Sequence, residues 1–312
     1  MYEVARYTPD HHDEWNSLVA QSKQGTFLFD RRYMDYHADR FADHSLMVYR
    51  NQRLFALLPG NVSGEEYHSH QGLTYGGLIT DSRATATHVC EAFVAINDHL
   101  RQAGLKRVVY KPVPSIYHLL PADDDLYALF MRCGARLVAR NVSSTVVLAR
   151  RLKFAESRLS GLRKAQASGY TVGLSDDLDT FWHILTHNLQ QRYGAQPVHT
   201  AQEMRLLKSR FPDFIRLYMV YRGSHPLGGT VVYLTPQVVH TQYIAATEEG
   251  KHTGALDLLF HHLLNEQHFT QAYFDFGTSA QADSCEVVDN LIFQKQGFGG
   301  RALCYDRYQY EL

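Results

Sequence analysis

The segment FPDFIRLYMVYR at residues 211–222 repeats the pattern of FADHSLMVYR at residues 41–50. Each segment predicts a loop that leads into a β-strand ending at Tyr-Arg. A turn follows in both places, Asn51-Gln52 in the first and Gly223-Ser224 in the second, and another strand-like apolar segment comes next. Turn residues between two such segments are typical of an antiparallel hairpin. The sequence therefore predicts the same hairpin twice, which indicates an internal repeat.

The repeat continues downstream of each hairpin. Residues 89–102 and 255–267 carry apolar side chains at helical spacing. Each is followed by a short apolar segment, 107–110 or 272–276, that predicts a buried strand. A further helix and a closing strand come after it in both halves. Helices that alternate with strands after an antiparallel start predict a mixed α/β sheet covered by helices.

The composition is that of a globular protein without a strong charge. The 312 residues include 31 Lys+Arg and 32 Asp+Glu, for a net charge of -1, which argues against a nucleic-acid coat or a polybasic membrane binder. No apolar stretch is long enough for a membrane span, so we expect a cytoplasmic protein. The 4 cysteines are scattered and the 18 histidines lack metal-ligand spacing, so we expect reduced thiols and no metal.

Three motifs carry a family resemblance. LSGLRKA at 159–165, YFDFG at 273–277 and LIFQKQGFG at 291–299 resemble motifs of the FemABX-like peptidyltransferases, in which the GNAT acyltransferase fold occurs twice. The resemblance covers most of the chain. It implies an α/β protein with two tandem GNAT folds, an acceptor-side domain at 1–150 and an acyl-donor-side domain at 151–312.

The same resemblance implies an N-acyltransferase. The acyl group would pass from acyl-CoA, such as acetyl-CoA, to an amine of a small molecule or a cell-envelope precursor. In GNAT enzymes the loop between a central strand and the next helix holds the CoA pyrophosphate, because N–H groups at a helix N-terminus bind phosphate. The predicted cofactor-binding residues are Thr247, Gly250, Lys251, Thr253 and Gly254. The spacing from Gly250 to Gly254 is one residue wider than the family pattern.

Two polar residues of the central strands are catalytic candidates. Tyr243 and His240 are an odd number of residues apart, so they are expected on opposite faces of the sheet, and we predict that Tyr243 faces the cleft. Asp275 lies in an apolar strand, where a carboxylate must be paired or have a raised pKa. It is expected to act as a general base, directly or through water, or to hold a neighbouring loop.

Lys295 is the third catalytic candidate. Many GNAT enzymes have a tyrosine general acid where this chain has Phe293, which has no proton to give. FemABX-like enzymes also lack that tyrosine, and a lysine of the segment is implicated in stabilising charge. Lys295 matches that lysine, so we expect it to steady the oxyanion or the leaving group. A surface lysine on a solvated helix is the alternative.

Three polar segments are candidates for recognising the acceptor. They are a polar-aromatic helix start, a glycine-rich segment at 68–77 and a loop at 192–199. Their predicted substrate-binding residues are Tyr36, His37, His70, Tyr75, Arg192 and His199. Ordinary polar residues in turns are the alternative.

Two other functions remain open. The FemABX resemblance permits aminoacyl-tRNA as the donor, which requires a basic surface. The basic run at 150–164 meets that need, although an amphipathic linker helix explains the run equally well. The imperfect pyrophosphate loop and the missing tyrosine permit a catalytically silent double-GNAT binding module. The sequence leaves the oligomeric state open.

Overall fold

A computed structural model of the chain describes residues 1–280 and 285–312. The chain forms two compact units, which we call unit 1 and unit 2. Unit 1 comprises residues 1–141 and 304–312, and unit 2 comprises residues 142–303. The domain roles predicted for 1–150 and 151–312 stay predictions.

Unit 1 contains the hairpin and the alternating elements that the sequence predicts in the first half. Its elements are β1 (Tyr2–Arg6), α1 (His12–Gln21), α2 (Arg31–Met34), β2 (Ala42–Asp43), β3 (Leu46–Arg50), β4 (Arg53–Leu58), β5 (Asn61–Ser63), β6 (Glu66–His68), β7 (Ile79–Thr80), α3 (Ala86–Gln102), β8 (Arg107–Tyr110), α4 (Asp124–Cys133) and the first part of β9 (Arg136–Val147). One sheet has the order β1-β3-β4-β7, and the other strands follow the order β9-β15-β8-β6-β5-β2, where β15 is Arg301–Glu311.

The core of unit 1 lies on one face of these last strands. Tyr67 of β6, Tyr110 of β8 and Tyr310 of β15 are buried with apolar side chains of α3 and α4, including Phe93 and Leu129. Because side chains alternate across a strand, every second residue of β6, β8 and β15 faces away from this core.

Unit 2 repeats the scheme. After β9 its elements are α5 (Glu156–Ala167), β10 (Thr171–Ser175), α6 (Leu178–Tyr193), α7 (Ala201–Arg210), β11 (Ile215–Arg222), β12 (His225–Leu234), β13 (Val238–Ala246), α8 (Glu248–Thr253), α9 (Ala255–His261), β14 (Tyr273–Thr278) and α10 (Asp289–Gly297). The strand order is β10-β11-β12-β13-β14-β9, and all neighbours are antiparallel except β13 and β14.

Helices cover both faces of the unit 2 sheet. Leu162 of α5 and Leu259 of α9 belong to the main apolar core with Val232 of β12. On the opposite face, the Tyr233 hydroxyl contacts Met204 Sδ of α7. α7 begins at a capping box, in which the side chains of Thr200 and Glu203 each accept a backbone N–H bond. The mixed, helix-covered sheet expected from the sequence is confirmed.

Candidate active site

Two parallel strands part in the middle of unit 2. β13 and β14 pair only at Val238–Tyr273, Val239–Phe274 and His240–Asp275, although both strands continue beyond these residues. Beyond the His240–Asp275 pair, the backbone N–H and C=O groups of β13 and β14 therefore do not hydrogen-bond to each other. We call this place the β13–β14 opening. Backbone donors without a ladder partner are suited to a polar substrate group.

A β-bulge at Gln242 lies beside the opening. Val231 of β12 pairs with Tyr243, but Val232 pairs with Thr241, so Gln242 is an extra residue without a partner on β12. The bulge also reverses a prediction. Tyr243 and His240 pair with Val231 and Tyr233, which are two residues apart, so both face the same side of the sheet. The expectation of opposite faces is wrong because the extra residue shifts the alternation by one.

Asp275 is buried and fully paired. Its side chain is 0% exposed. Oδ1 accepts hydrogen bonds from the Ser143 and Thr145 hydroxyls at 2.5 and 2.8 Å, and Oδ2 accepts one from His240 Nδ1 at 2.9 Å. Burial alone would raise the pKa of Asp275. The interaction with His240 and the hydrogen bonds from Ser143 and Thr145 outweigh burial, so the pKa lies below its usual value. Asp275 is therefore suited to orienting His240.

We expect Asp275→Asn to lower the free energy of unfolding by about 1–3 kcal/mol, because a buried hydrogen-bond network loses its charged acceptor. Urea denaturation of the purified protein measures this. The matched control is Asp176→Asn, which removes the same charge from an exposed ion pair with Lys208 and should cost less than about 1 kcal/mol. Equal effects of the two substitutions would contradict the assigned network.

Lys295 is buried next to the same strand. It is 8% exposed, and its Nζ donates to the carbonyl oxygens of Gly277 and Thr278 at 2.9 and 2.8 Å. Burial lowers the pKa of Lys295 to about 8, and the Asp275 carboxylate opposes that shift. The alternative of a solvated surface lysine is therefore excluded. By contrast Phe293, at the position of the missing tyrosine, is 65% exposed.

The remaining groups around the opening are polar and closely packed. The His240 ring lies against Gly277, where an added Cβ would be 3.3 Å from His240 Cε1. Lys295 and His240 therefore approach the same residue of β14 from two elements. The buried hydroxyls of Thr241 and Ser279 have no hydrogen-bond partner in the described part of the chain. Buried hydroxyls in proteins usually have a hydrogen-bond partner, so these two are unusual.

The predicted pyrophosphate loop has a different structure. Residues Glu248–Thr253 form the short helix α8, in which the Thr247 hydroxyl already accepts from the Gly250 N–H at 3.0 Å. Lys251 Nζ binds Glu248 Oε1 and Asn188 Oδ1 at 2.5 and 3.0 Å. The first turn also carries two acidic side chains, Glu248 and Glu249, which form ion pairs with Lys251 and Arg222. The Gly250 N–H and the Lys251 ammonium are therefore already engaged within the chain.

Gly250 and Gly254 allow close packing of the backbone. A Cβ on Gly250 would lie 2.2 Å from the Leu227 carbonyl oxygen of β12. Gly254 has a φ of 81° and a Cβ there would lie 2.1 Å from the Gly161 carbonyl oxygen of α5. Thr253 donates its hydroxyl to the Glu249 carbonyl. All these groups make contacts within the chain, so the binding of a cofactor by Thr247, Gly250, Lys251, Thr253 and Gly254 stays a prediction.

We expect Lys251→Ala to leave the donor KM within about twofold of the wild-type value, since this ammonium is held by Glu248 and Asn188. Initial-rate kinetics over a range of donor concentrations measure it. A lysine that contacts a phosphate contributes a charge-assisted bond of about 1.5–3 kcal/mol, so its loss raises KM by about tenfold or more. An increase of that size would support the predicted cradle.

Tyr243 joins an aromatic cluster with two of its neighbours. Its hydroxyl lies 2.5 Å from His199 Nδ1, and its ring packs edge-on against Trp182 at 5.3 Å. Burial raises the pKa of Tyr243 to about 12. His199 is itself buried, whereas Arg192 is exposed. The roles of Tyr243 in catalysis and of His199 and Arg192 in substrate binding stay predictions.

The predicted acceptor residues of unit 1 are mostly inaccessible. His37, His70 and Tyr75 are 2%, 3% and 2% exposed. The cavity beside His37 and His70 is about 10 Å³, which holds at most one water molecule. Burial lowers the pKa of His70 to about 3, with help from His37 and Lys111. These three residues lie at core positions, and half-buried Tyr36 stacks on His37. The role of all four in acceptor binding stays a prediction.

Within residues 1–280 and 285–312, no group of three or more His, Cys, Asp or Glu side chains is arranged to hold a metal ion. No helix in these ranges combines the length and the apolar character needed to cross a bilayer.

Comparison with known proteins agrees with this geometry. Residues 153–283 match the family described as an acetyltransferase (GNAT) domain. Residues 153–283 are therefore a GNAT-type acyltransferase domain. No curated protein sequence matches the chain.

Solved structures show that the GNAT fold occurs twice in this enzyme. The crystal structure of FemX is similar over 99% of this chain and 97% of that one, with a TM-score of 0.68 and 12% identity. A tandem GNAT protein from the clavulanic acid biosynthesis pathway is similar over 100% and 98%, with a TM-score of 0.51 and 13% identity. L-PGS from Bacillus licheniformis is similar over 98% and 92%, with a TM-score of 0.55 and 9% identity.

The sequence patterns single out Tyr243 rather than His240, and they contain no signal for Ser143 or Thr145, whose hydroxyls bind Asp275. The signal for His240 was present, because a buried Asp275 needs a partner and the neighbouring parallel strand was the place to seek it.

Proposed function

We propose that unit 2 transfers an acyl group from an activated carboxyl donor to an amine at the β13–β14 opening. The observation that carries this proposal is the buried Lys295 ammonium, fixed on the Gly277 and Thr278 carbonyls. An ammonium has three hydrogens, and its third has no partner among the residues described. That hydrogen is available to the negative charge that develops during acyl transfer.

The chemistry divides between two side chains. The amine nitrogen bonds to the acyl carbon, the bond from that carbon to the leaving oxygen or sulfur breaks, and the amine loses a proton. Asp275 holds His240 through Nδ1, so Nε2 is the basic nitrogen of the neutral imidazole and accepts that proton. Lys295 stabilises the oxyanion or the leaving group.

The donor that this geometry favours is an aminoacyl ester carried by tRNA. The Gly250 N–H and the Lys251 ammonium of α8 are engaged within the chain, so a CoA donor would lack the anchor that the family resemblance implies. Arg150 and Lys153 are exposed, and they supply part of the basic surface that a tRNA backbone needs. Acyl-CoA remains the second candidate, because a bulge such as that at Gln242 suits the acyl carbonyl of either donor.

The acceptor in this proposal is an amine of a small molecule or a cell-envelope precursor. We place the reaction in the cytoplasm, where aminoacyl-tRNA is made.

Paired donor assays test the proposal. Radiolabelled aminoacyl-tRNA and acetyl-CoA are each incubated with the enzyme and a panel of amines, with hydroxylamine included as a small nucleophile. Enzyme-dependent amide formation from aminoacyl-tRNA is expected. Amide formation from acetyl-CoA alone would transfer the proposal to the second donor. Formation from neither would overturn it in favour of a silent binding module.

We expect the rate of acyl transfer to fall as pH rises through about 8, because Lys295 loses the proton that stabilises negative charge. A Lys295→Arg variant keeps its charge to much higher pH, so its profile should lack this basic limb even if its maximal rate is lower. Rates of wild type and variant between pH 6 and pH 10 at saturating donor measure the difference. If the rate of Lys295→Arg also falls near pH 8, the group that titrates is not Lys295.

A further inference from the structure

Unit 1 contains a polar cavity that the proposed reaction in unit 2 does not use. Its volume is about 550 Å³, within the range of small-molecule sites. It lies on the face of β6, β8 and β15 that points away from the unit 1 core. Its lining residues include His68, Gln71, Lys111, Arg307 and Gln309.

Strand register brings two cations together in this cavity. β8 and β15 are antiparallel, with Tyr110 opposite Tyr308 and Val109 opposite Gln309. Continuing that register by one residue places Lys111 opposite Arg307. Like charges directly opposite each other in a sheet destabilise the fold. Burial, together with the charge of Arg307, lowers the pKa of Lys111 to about 7.

Carboxylates near the cavity are engaged with other cations. Glu66 binds Arg107 at 2.8 Å through one oxygen and His68 at 3.3 Å through the other. Asp306 forms a two-pronged ion pair with Arg140.

The cations themselves have few partners in the chain. Lys111 Nζ donates to the Leu73 carbonyl oxygen at 2.6 Å and to nothing else in the described ranges. Arg307 has no ion pair or side-chain hydrogen bond to any described residue, and it is exposed. The pair therefore has no counterion within the part of the chain that the structure shows.

We propose that the cavity binds the phosphate or carboxylate group of a small anionic ligand between Lys111 and Arg307. An anion there would accept hydrogen bonds from both side chains and remove their repulsion. Gln71 and Gln309 line the same cavity and offer amide groups to the uncharged part of the ligand. This site is independent of the acyl-transfer chemistry.

Anion titrations of the purified full-length protein test the site. Thermal unfolding is followed with inorganic phosphate in one arm and acetate in the other, at constant ionic strength set with chloride. A saturable rise in Tm is expected with at least one of the two, and the arm that responds identifies the group. At 100 times its Kd a ligand stabilises by about 2.7 kcal/mol, a shift of several degrees.

Three variants make the result specific. Lys111→Met and Arg307→Met should each weaken the binding at least tenfold, and Arg307→Met leaves no buried group unpaired because Arg307 is exposed. Lys106→Met is the control, since that lysine is exposed and pairs with Glu65. Equal titrations in all three variants, or no saturable shift with either anion, would overturn the site. Because binding is read without turnover, this result is separable from the failure of the proposed function.

Discussion

Replacing Lys295 by Met should lower kcat by about 10²–10³-fold, with KM for the donor changed by less than about threefold. Removing one preorganised donor from an oxyanion site has an effect of this size in enzymes. The loss falls on kcat because the charge that Lys295 stabilises develops only during the reaction. Steady-state kinetics with the donor identified in the paired assays measure both constants.

The control for this prediction is Lys106→Met, which removes an exposed lysine of unit 1 and should leave kcat unchanged. Stability must be measured together with activity. Met fills most of the space of the lysine stem, and the variant loses two bonds to backbone carbonyls, so its free energy of unfolding should change by less than about 3 kcal/mol. A folded Lys295→Met enzyme with wild-type kcat would remove Lys295 from the mechanism.

Replacing His240 by Ala should lower kcat by about 10²–10⁴-fold, the usual contribution of a positioned general base. The observed geometry supports this assignment, because Asp275 fixes the ring through Nδ1 at 2.9 Å and Gly277 lies against its other edge. Initial rates with a weakly basic amine, such as hydroxylamine, provide the sharper readout. Such an amine is largely deprotonated before it attacks, so it depends on the base less.

The matched control for His240→Ala is His225→Ala, which removes a histidine from an exposed position on β12. A purely structural role for His240 predicts equal losses with weakly and strongly basic amines. A catalytic role predicts a smaller loss with the weakly basic one. Equal losses with the two amines would show that His240 is a structural partner of Asp275 and not the general base.

Local patterns predicted much of the fold. The paired hairpins and the amphipathic helices α3 and α5 follow from the spacing of apolar residues and from turn chemistry. These features depend on neighbours in sequence, so a single sequence contains their signal. The same applies to the need of Asp275 for a partner.

The site itself depended on features without a local signal. The extra residue at Gln242 places His240 on the same face of the sheet as Tyr243, and no sequence motif predicts such a bulge. The segment after β13 contains glycines, but the sequence does not reveal that Gly250 is there to clear the Leu227 carbonyl. The opposition of Lys111 and Arg307 follows from the register of two strands far apart in the chain. The positions of the site residues therefore depend on packing and strand register, which the sequence alone does not reveal.

Hydrogen exchange in the presence of a stable donor analogue tests the central claim most directly. The probe is tRNA whose amino acid is joined by an uncleavable amide, with CoA in a second sample. The account predicts slower exchange in the peptides that cover 238–246 and 273–280, around the β13–β14 opening, and unchanged exchange at 247–254. Protection at 247–254 without protection at 238–246 would contradict it and return the donor site to α8.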